Sequence, residues 1–221
     1  FKFLKQFEDE NTTLLQASQI ICGTNAQRYD LNSRVRTLLG RGPTPEPEDK
    51  IIGLKNHWDD ISDEGNALTN GAIGSIIPAE HFIQTYPNLT KFKDFKPTDI
   101  LWADFITEDG DTFHSLPIDY SCLTTNNPSL TGAQEYQIGG YNNSVDRKIE
   151  QYGYSASQKL IIPYNFNYGY AITCWKAQGS EYPYVLSYDC SWLKKKDIKE
   201  YTKYLYTAVT RAEKAIILVG D

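Results

Sequence analysis

One stretch constrains the fold of this chain more than any other, the run YGYAITCWKAQGSEYPYVLSYD from Tyr168 to Asp189. Its pattern predicts a helix, then a tight polar loop, then a buried strand over the apolar residues 184–188. The loop at residues 178–181 combines one glycine with three polar side chains. Polar loops at the ends of buried strands are where α/β proteins bind ligands, although a solvated connection has the same composition. The stretch therefore predicts an α/β fold with a candidate ligand site in this loop.

Composition narrows the class of protein. A chain of 221 residues accommodates one large domain or two small ones, and without a methionine we expect it to be a piece of a longer protein. The apolar share of 40% and the lack of a long apolar run predict a soluble globular chain with no membrane span. A net charge of −6 argues against global wrapping of nucleic acid but leaves a local basic groove possible. Four widely spaced cysteines without a CxxC pair predict free thiols and a reducing cytoplasm.

A strand and a helix follow residue 18. The apolar run Gln19–Gly23 predicts the strand, Thr24 or Asn25 can cap the helix, and Gly40 ends it after about Leu39. Two stripes run along this helix, an apolar one of Leu31, Val35 and Leu38 and a polar one of Asn25, Arg28, Asn32 and Arg36. The polar stripe is either a solvated face or a set of specific hydrogen bonds, since asparagines are poor helix formers.

The middle of the chain changes to short β-like runs. They lie at Lys50–Leu54, Ala72–Ile77, Ile100–Thr107 and Thr112–Ile118. The tetrapeptide EDGD at residues 108–111 predicts a hairpin, and Gly71 and Gly74 lie where a small barrel must bend. We therefore predict a small β-barrel inserted over residues 44–157, of which the polar residues 121–157 form a long loop.

The elements on either side of the insert complete an α/β layer. A strand is predicted at Gln158–Pro163, an amphipathic helix at Lys199–Ala212 and a closing strand at Ala215–Val219. Helices alternating with strands favour a parallel sheet. The sequence thus predicts one discontinuous domain from residues 1–43 and 158–221.

Four blocks of this sequence resemble superfamily 1 helicases. The run YGYAITCWKAQGSEYPYVL resembles their motif V, and LYTAVTRAEKAIILV, from Leu205 to Val219, resembles their motif VI. IICGTNAQRYDLNSRVRTLLG resembles the segment that opens the second RecA-like domain in the RecD-like branch, and DKIIGLKNHWDD with ALTNGAIGSI resembles the start of an SH3-type barrel inserted in that domain. Residues 78–157 carry no resemblance.

The resemblance implies a RecA-like (P-loop NTPase-type) three-layer domain with an inserted small β-barrel, from a motor that moves 5′ to 3′ on single-stranded DNA and unwinds duplex. ATP would lie between this domain and a first RecA-like domain. No GxxxxGK[ST] phosphate loop occurs in this sequence. The resemblance therefore implies that the missing first domain supplies that loop and holds Mg²⁺, and that this chain alone does not hydrolyse ATP.

The resemblance also implies a nucleotide site. Arg211 would be the catalytic arginine that reaches the γ-phosphate, and Glu181 would bind the ribose, with Gln178 and Gly179 linking the loop to the phosphate side. A fixed cation suits the charge that spreads over phosphoryl oxygens in the transition state. From spacing alone, Arg211 could instead interact with a helix dipole.

A DNA site is implied at six further residues. They are Thr24, Asn25, Arg28, Thr173, Trp175 and Lys176. Trp175 departs from the family pattern, which has histidine there; a tryptophan at this position could stack on a base or belong to the core.

Two other functions remain open from the sequence. The chain could be a RecD-like subunit of a recombination exonuclease, which differs from a solitary helicase in its partners. It could also be a non-catalytic module that binds single-stranded nucleic acid through the barrel. The resemblance places the protein in the cytoplasm of a bacterium or in a phage-infected cell.

Overall fold

The computed structural model describes residues 18–86, 95–153, 159–188 and 190–219. Residues 1–17 of the expected first segment lie outside this range. The described chain forms two compact units. The discontinuous unit contains residues 18–44 and the described residues from Tyr168 onward, and the inserted unit runs from Pro45 to Asn167.

A four-stranded parallel sheet forms the centre of the discontinuous unit. Strands are numbered along the whole chain, and this sheet contains β1 Ser18–Cys22, β9 Ala171–Thr173, β10 Tyr182–Tyr188 and β11 Ala212–Val219. Their order across the sheet is β11-β10-β1-β9, and each neighbouring pair is parallel. The prediction of an α/β fold with a parallel sheet is confirmed.

Helices cover both faces of this sheet. On one face, Leu31 and Val35 of helix α1 (Asn25–Leu38) pack in a cluster with Leu186 of β10. On the other face, the next residue along β10, Ser187, has its hydroxyl 3.2 Å from the hydroxyl of Tyr204 on helix α5 (Ile198–Val209). Successive strand residues point to opposite faces, so α1 and α5 lie on opposite sides. The unit therefore has three layers.

The predicted limits of α1 are confirmed by its caps. The Thr24 hydroxyl accepts a hydrogen bond from the Gln27 N–H at 3.1 Å, and this satisfies one of the donors left over in the first turn. Gly40, just past the C-cap Leu39, has φ +70°, a left-handed conformation that suits glycine.

The helix predicted at the start of the Tyr168–Asp189 stretch is wrong. Residues 171–173 form strand β9, and turns follow from 174 to 179. Ile21 and Ile172 are partners in the parallel ladder, and Cys22 is level with Thr173. Pairing with a strand that precedes it by about 150 residues in sequence overrides the local helical pattern.

The inserted unit is built on an antiparallel sheet. Its strands are β2 Asp49–Gly53, β5 Ile73–Gln84, β6 Thr98–Thr107, β7 Thr112–Asp119 and β8 Phe166–Tyr168, with β3 His57–Ile61 and β4 Ala67–Leu68 as a separate pair. The sheet order is β7-β6-β5-β2-β8. β6 and β7 flank EDGD as an antiparallel pair, so the predicted hairpin is confirmed.

One segment joins the two edges of this sheet. The Tyr164 N–H donates to the Pro117 carbonyl at 2.6 Å, and the Tyr164 carbonyl accepts from the Asp119 N–H at 2.9 Å, beside β7. One residue later, the Asn165 carbonyl accepts from the Leu54 N–H at 2.9 Å, just past β2. The hydrogen bonds thus close the sheet into a small barrel.

Two expectations for the end of the insert are wrong. Residues 121–157 are not a long loop, because helices α2 (Tyr120–Thr125) and α3 (Gly132–Tyr152) occupy most of the described part. The described residues of the strand predicted at 158–163 have no strand structure. The backbone N–H groups of Leu160 and Ile161 donate instead to the side chains of Asn142 and Gln84. The inserted unit accordingly ends at Asn167 rather than at 157.

None of the described helices combines the length and the apolar character that crossing a membrane requires.

Candidate nucleotide and nucleic-acid sites

The two parts of the expected nucleotide site lie at the same end of the parallel sheet, where the strands begin. The loop at residues 178–181 precedes β10, and Arg211 precedes β11. Tyr182 and Ala212 are partners in the ladder, and the Tyr182 N–H donates to the Arg211 carbonyl at 2.8 Å. The sheet register therefore brings the loop and Arg211 together at the amino ends of neighbouring strands.

The Arg211 side chain lies against the loop. Its Nη1 donates to the Ser180 carbonyl at 3.0 Å, and its Nη2 donates to the Thr210 hydroxyl at 3.3 Å. Its Nε is buried and has no hydrogen-bond partner among the described residues. Helix α5 ends at Val209, earlier than predicted, so Arg211 lies in the turn before β11. A fixed guanidinium with a donor left over suits an anionic oxygen.

The other three residues expected at the nucleotide are exposed. They are Gln178, Gly179 and Glu181. Gly179 has φ +88°, a conformation that side-chain-bearing residues rarely adopt, so the turn requires glycine. Gln178 lines a cleft on the α5 side of the sheet rather than contacting the Arg211 guanidinium through a described hydrogen bond.

Most residues expected to contact DNA lie at the opposite end of the sheet, where β1 and β9 end. Thr24 and Asn25 follow β1, Thr173 ends β9, and Trp175 and Lys176 come directly after it. Asn25 and Trp175 are exposed, the latter at 72%, so Trp175 is not a core residue. The N-terminus of the 14-residue helix α1 lies among them, and helix N-termini attract anions.

Two cations lie close together near this end of the sheet. Arg28 is buried on α1, and the half-buried Lys176 follows β9. Burial lowers the pKa of Lys176, and the nearby charge of Arg28 lowers the pKa of Lys176 further. Both effects favour an anion near the pair, because a bound phosphate would offset the repulsion between the cations.

A cleft of about 540 Å³ opens beside Trp175. The turn after β9 forms one wall, and helix α4 (Ser191–Lys196) and helix α5 form the other. Trp175, Trp192 and Tyr206 line it, together with Gly23, which follows β1. Sequence reasoning missed this cleft, and the run WLKKK at residues 192–196 was the available signal.

The thiols and carboxylates point to no metal centre. Within the described ranges, no group of three or more His, Cys, Asp or Glu side chains could hold a metal ion. All four cysteines are free, and burial raises the pKa of the Cys22 thiol to about 12. A thiol with such a pKa is almost fully protonated at neutral pH and is a poor ligand or nucleophile.

A family model described as "UvrD-like helicase C-terminal domain" matches residues 168–219. The match covers β9, β10, α5 and β11 and includes both the loop at 178–181 and Arg211. It supports the resemblance to superfamily 1 helicases for this part of the chain.

Two solved structures are similar over nearly the whole chain. One is the Pif1 helicase from Candida albicans, with 14% identity, a TM-score of 0.48, and coverage of 93% of this chain and 45% of that one. The other is the Pif1 helicase from Bacteroides in complex with ADP-AlF3 and ssDNA, with 11% identity, a TM-score of 0.45, and coverage of 99% of this chain and 44% of that one. This chain thus spans less than half the length of either protein. A search of curated proteins finds no match.

Proposed function

We propose that the discontinuous unit is the second RecA-like domain of an ATP-dependent DNA helicase of the RecD-like branch, with the barrel as its SH3-type insert. The complete protein would move 5′ to 3′ on single-stranded DNA and unwind duplex in the cytoplasm of a bacterium or of a phage-infected cell. The first RecA-like domain would carry the phosphate loop and hold Mg²⁺. The match at residues 168–219 and the order of the motif blocks support this proposal.

One observation carries the nucleotide half of the proposal, the contact between the Arg211 guanidinium and the Ser180 carbonyl. This contact aims a permanent cation along the loop and leaves the buried Nε without a described partner. Arg211 would stabilise the charge that develops on the γ-phosphoryl oxygens, because a guanidinium offers aligned donors and never loses its charge. Glu181 would accept from the ribose hydroxyls, and Gln178 and Gly179 would line the phosphate side.

The DNA half of the proposal concerns the residues at the opposite end of the sheet, where β1 and β9 end. Arg28 and Lys176 would bind the phosphates of the strand, and Trp175 would stack on a base. Thr24, Asn25 and Thr173 would complete the contacts at the ends of β1 and β9. Phosphate contacts carry no sequence information, as a protein that moves along DNA requires.

A single segment connects these two halves. Thr173 is level with the last residue of β1, whereas Tyr184 is level with its first residue, Ser18. Cys22 and Ser18 are four residues apart, and β10 begins two residues before Tyr184, so the turns from 174 to 181 run about six strand residues, or about 20 Å, along the sheet. We infer that residues 174–181 couple the two sites, because displacement of the loop beside Arg211 also moves Trp175 and Lys176.

The test is ATP hydrolysis by the complete protein with Arg211→Ala, measured with saturating single-stranded DNA. The proposal expects turnover to collapse while DNA binding is largely kept. Turnover equal to that of the parent protein would remove Arg211 from the catalytic site.

A further inference from the structure

We propose that the cleft between the turn after β9 and helices α4 and α5 binds single-stranded nucleic acid. Bases would stack in the cleft on Trp175 and Trp192, and lysines of α4 would bind the phosphates. We name this site the α4–α5 cleft and define it by its lining residues Trp175, Trp192 and Tyr206. Lys194–Lys196 follow Trp192 on helix α4, beside the cleft rather than in its lining. The inference rests on the proposed function, because it extends the path of the bound DNA strand beyond the contacts described above.

Its position in the sheet favours a ligand. The chain leaves β1 for α1 on one face and leaves β10 for α4 and α5 on the other face. Neighbouring parallel strands whose connections depart to opposite faces leave a crevice at their carboxyl ends, where open α/β sheets bind ligands. Gly23, after β1, and Trp192, after β10, both line the α4–α5 cleft. The cleft therefore occupies the switch point of this sheet.

The aromatic side chains of the cleft are exposed. The exposed fraction is 72% for Trp175, 43% for Trp192 and 70% for Tyr206. Large apolar side chains grouped on a surface mark a binding site more often than isolated ones. Flat rings suit nucleobases in particular, because every base has a π face and stacking tolerates any sequence.

The local charge selects a polyanion as the occupant. Residues 191–203 contain five lysines and two acids, a local charge of +3 in a chain whose net charge is −6. Both acids have partners within this segment, because Glu200 accepts from the Lys203 ammonium at 2.6 Å and Asp197 caps α5 by accepting from the Lys199 N–H at 2.9 Å. Lys194, Lys195 and Lys196 are exposed. An acidic or neutral peptide could enter an apolar cleft, but aromatic rings beside a lysine run match the chemistry of single strands.

The three lysines of α4 cannot all contact the same nucleic-acid strand. Successive residues of an α-helix point about 100° apart, so three consecutive lysines spread over much of the circumference. One or two of them can face the strand together. Each phosphate contact contributes about 0.7 to the slope of log binding constant against log salt for a single strand. We therefore expect replacing all three lysines to reduce this slope by about 1.

Two variants of the 221-residue chain test the proposal with a fluorescein-labelled oligo(dT). Trp192→Ala should weaken binding about tenfold, and the triple change Lys194→Gln, Lys195→Gln and Lys196→Gln should reduce the salt slope by about 1. The matched controls lie on α3 of the inserted unit. Tyr136→Ala removes an aromatic side chain that is 85% exposed, and Arg147→Gln with Lys148→Gln removes two exposed cations. Fluorescence anisotropy across a salt series measures both quantities.

A crosslink on the unchanged chain avoids effects of misfolding. Oligonucleotides that contain 5-bromodeoxyuridine should crosslink on irradiation to Trp192, identified by mass spectrometry of the peptide. Trp192→Phe, which keeps a ring, should restore most of the affinity that Trp192→Ala loses. Absence of a crosslink in α4 or the cleft, with affinity and slope unchanged in both variants, would overturn the proposal.

The proposal and the proposed function fail in different ways. If Lys176→Gln weakens oligo(dT) binding while Trp192→Ala and the triple variant do not, the oligonucleotide does not bind in the α4–α5 cleft. The helicase assignment then stands. If the α3 controls lose as much affinity as the cleft variants, binding is not located in the cleft. If Arg211→Ala leaves ATP turnover of the complete protein unchanged, the proposed function fails whatever the cleft binds.

Discussion

The side-chain amide of Asn32 on helix α1 holds both backbone polar groups of Ala171 on strand β9. The Asn32 Nδ2 donates to the Ala171 carbonyl at 2.9 Å, and the Asn32 Oδ1 accepts from the Ala171 N–H at 2.9 Å. β9 is an edge strand, and the Ile20 N–H of β1 bonds to the carbonyl of Tyr170, so the polar groups of Ala171 point away from β1. The amide therefore pairs with β9 as another strand would.

Replacing Asn32 should destabilise the discontinuous unit. Asn32→Leu removes both hydrogen bonds and leaves two buried backbone groups without partners, at a cost of about 2–4 kcal/mol. Urea unfolding measures this loss, and hydrogen exchange of the Ala171 amide should accelerate more than that of amides in β10. Asn25→Leu on the same helix is the control, since Asn25 is exposed and should change stability by about 0.5 kcal/mol or less. An Asn32→Leu chain as stable as this control would contradict the role of the amide.

Arg211 should be essential for ATP hydrolysis by the complete protein. Arg211→Ala removes the cation beside the loop and should lower turnover by about 10³-fold or more, with single-strand binding largely retained. Arg211→Lys should recover little, because an ammonium cannot reproduce the aligned donors of a guanidinium. Steady-state hydrolysis with saturating DNA measures the effect. Lys199→Ala, an exposed cation at the start of α5, is the matched control and should keep parent turnover. Recovery in Arg211→Lys would instead indicate a simple charge effect.

The sequence predicts best those elements whose pattern is local. The apolar runs of β1 and β10 are visible, and so are the Thr24 cap and the EDGD hairpin. β9 has only three residues, and its strand structure depends on pairing with β1, which no local pattern reveals. Helix α3 was missed for another reason. Thr131 and Gln134 form a capping box, a signal in the sequence that the polar, glycine-rich composition outweighed.

For the candidate sites too, some residues could be predicted from the sequence and others required the fold. The motif resemblance predicts Arg211 and the loop at 178–181, and the parallel register explains why they meet. The α4–α5 cleft was not predicted, because its walls come from segments after three different strands. For Asn32 the sequence left a solvated face and specific hydrogen bonds both open, and its partner on β9 required the fold. Contacts between distant segments are thus the part that local patterns cannot supply.

Gly74 should be irreplaceable in the barrel. A Cβ atom added there would lie 2.0 Å from the Ile106 carbonyl oxygen and 2.6 Å from the Thr107 Cα, both of them backbone atoms of β6. Backbone of a paired strand cannot move away without breaking the ladder between β5 and β6. Gly74→Ala should therefore destabilise the inserted unit by about 3 kcal/mol or more, or prevent its folding. The unfolding midpoint in urea measures the loss.

Gly139 provides the matched control for this change. It lies inside helix α3, and a Cβ atom added there meets nothing within 4 Å. Because alanine has the higher helix propensity, Gly139→Ala should stabilise the inserted unit by about 0.5–1 kcal/mol. Opposite signs for the two glycine-to-alanine changes are the expected result. Equal effects would mean that the close approach of β5 and β6 at Gly74 does not determine stability.

His114 should make the stability of the inserted unit depend on pH near neutrality. Its Nε2 lies 3.0 Å from an Asp63 carboxylate oxygen and its Nδ1 lies 3.3 Å from an Asp104 oxygen. The hydrogen bond to Asp63, followed by that to Asp104, raises the pKa of His114. A folded-state pKa above the unfolded value of about 6.5 stabilises the fold fully below pH 6.5, and this stabilisation is lost as pH rises through the folded pKa.

The change that tests this is His114→Gln. The thermal midpoint of the parent chain should decline as the pH rises above about 6.5, and His114→Gln should flatten that decline. The control is His81→Gln, which removes another exposed histidine, one that lies 3.8 Å from an Asp99 oxygen. An NMR titration of the His114 ring should give a midpoint above that of a model peptide. If the parent and His114→Gln chains decline equally, the pair of carboxylates does not couple His114 to folding.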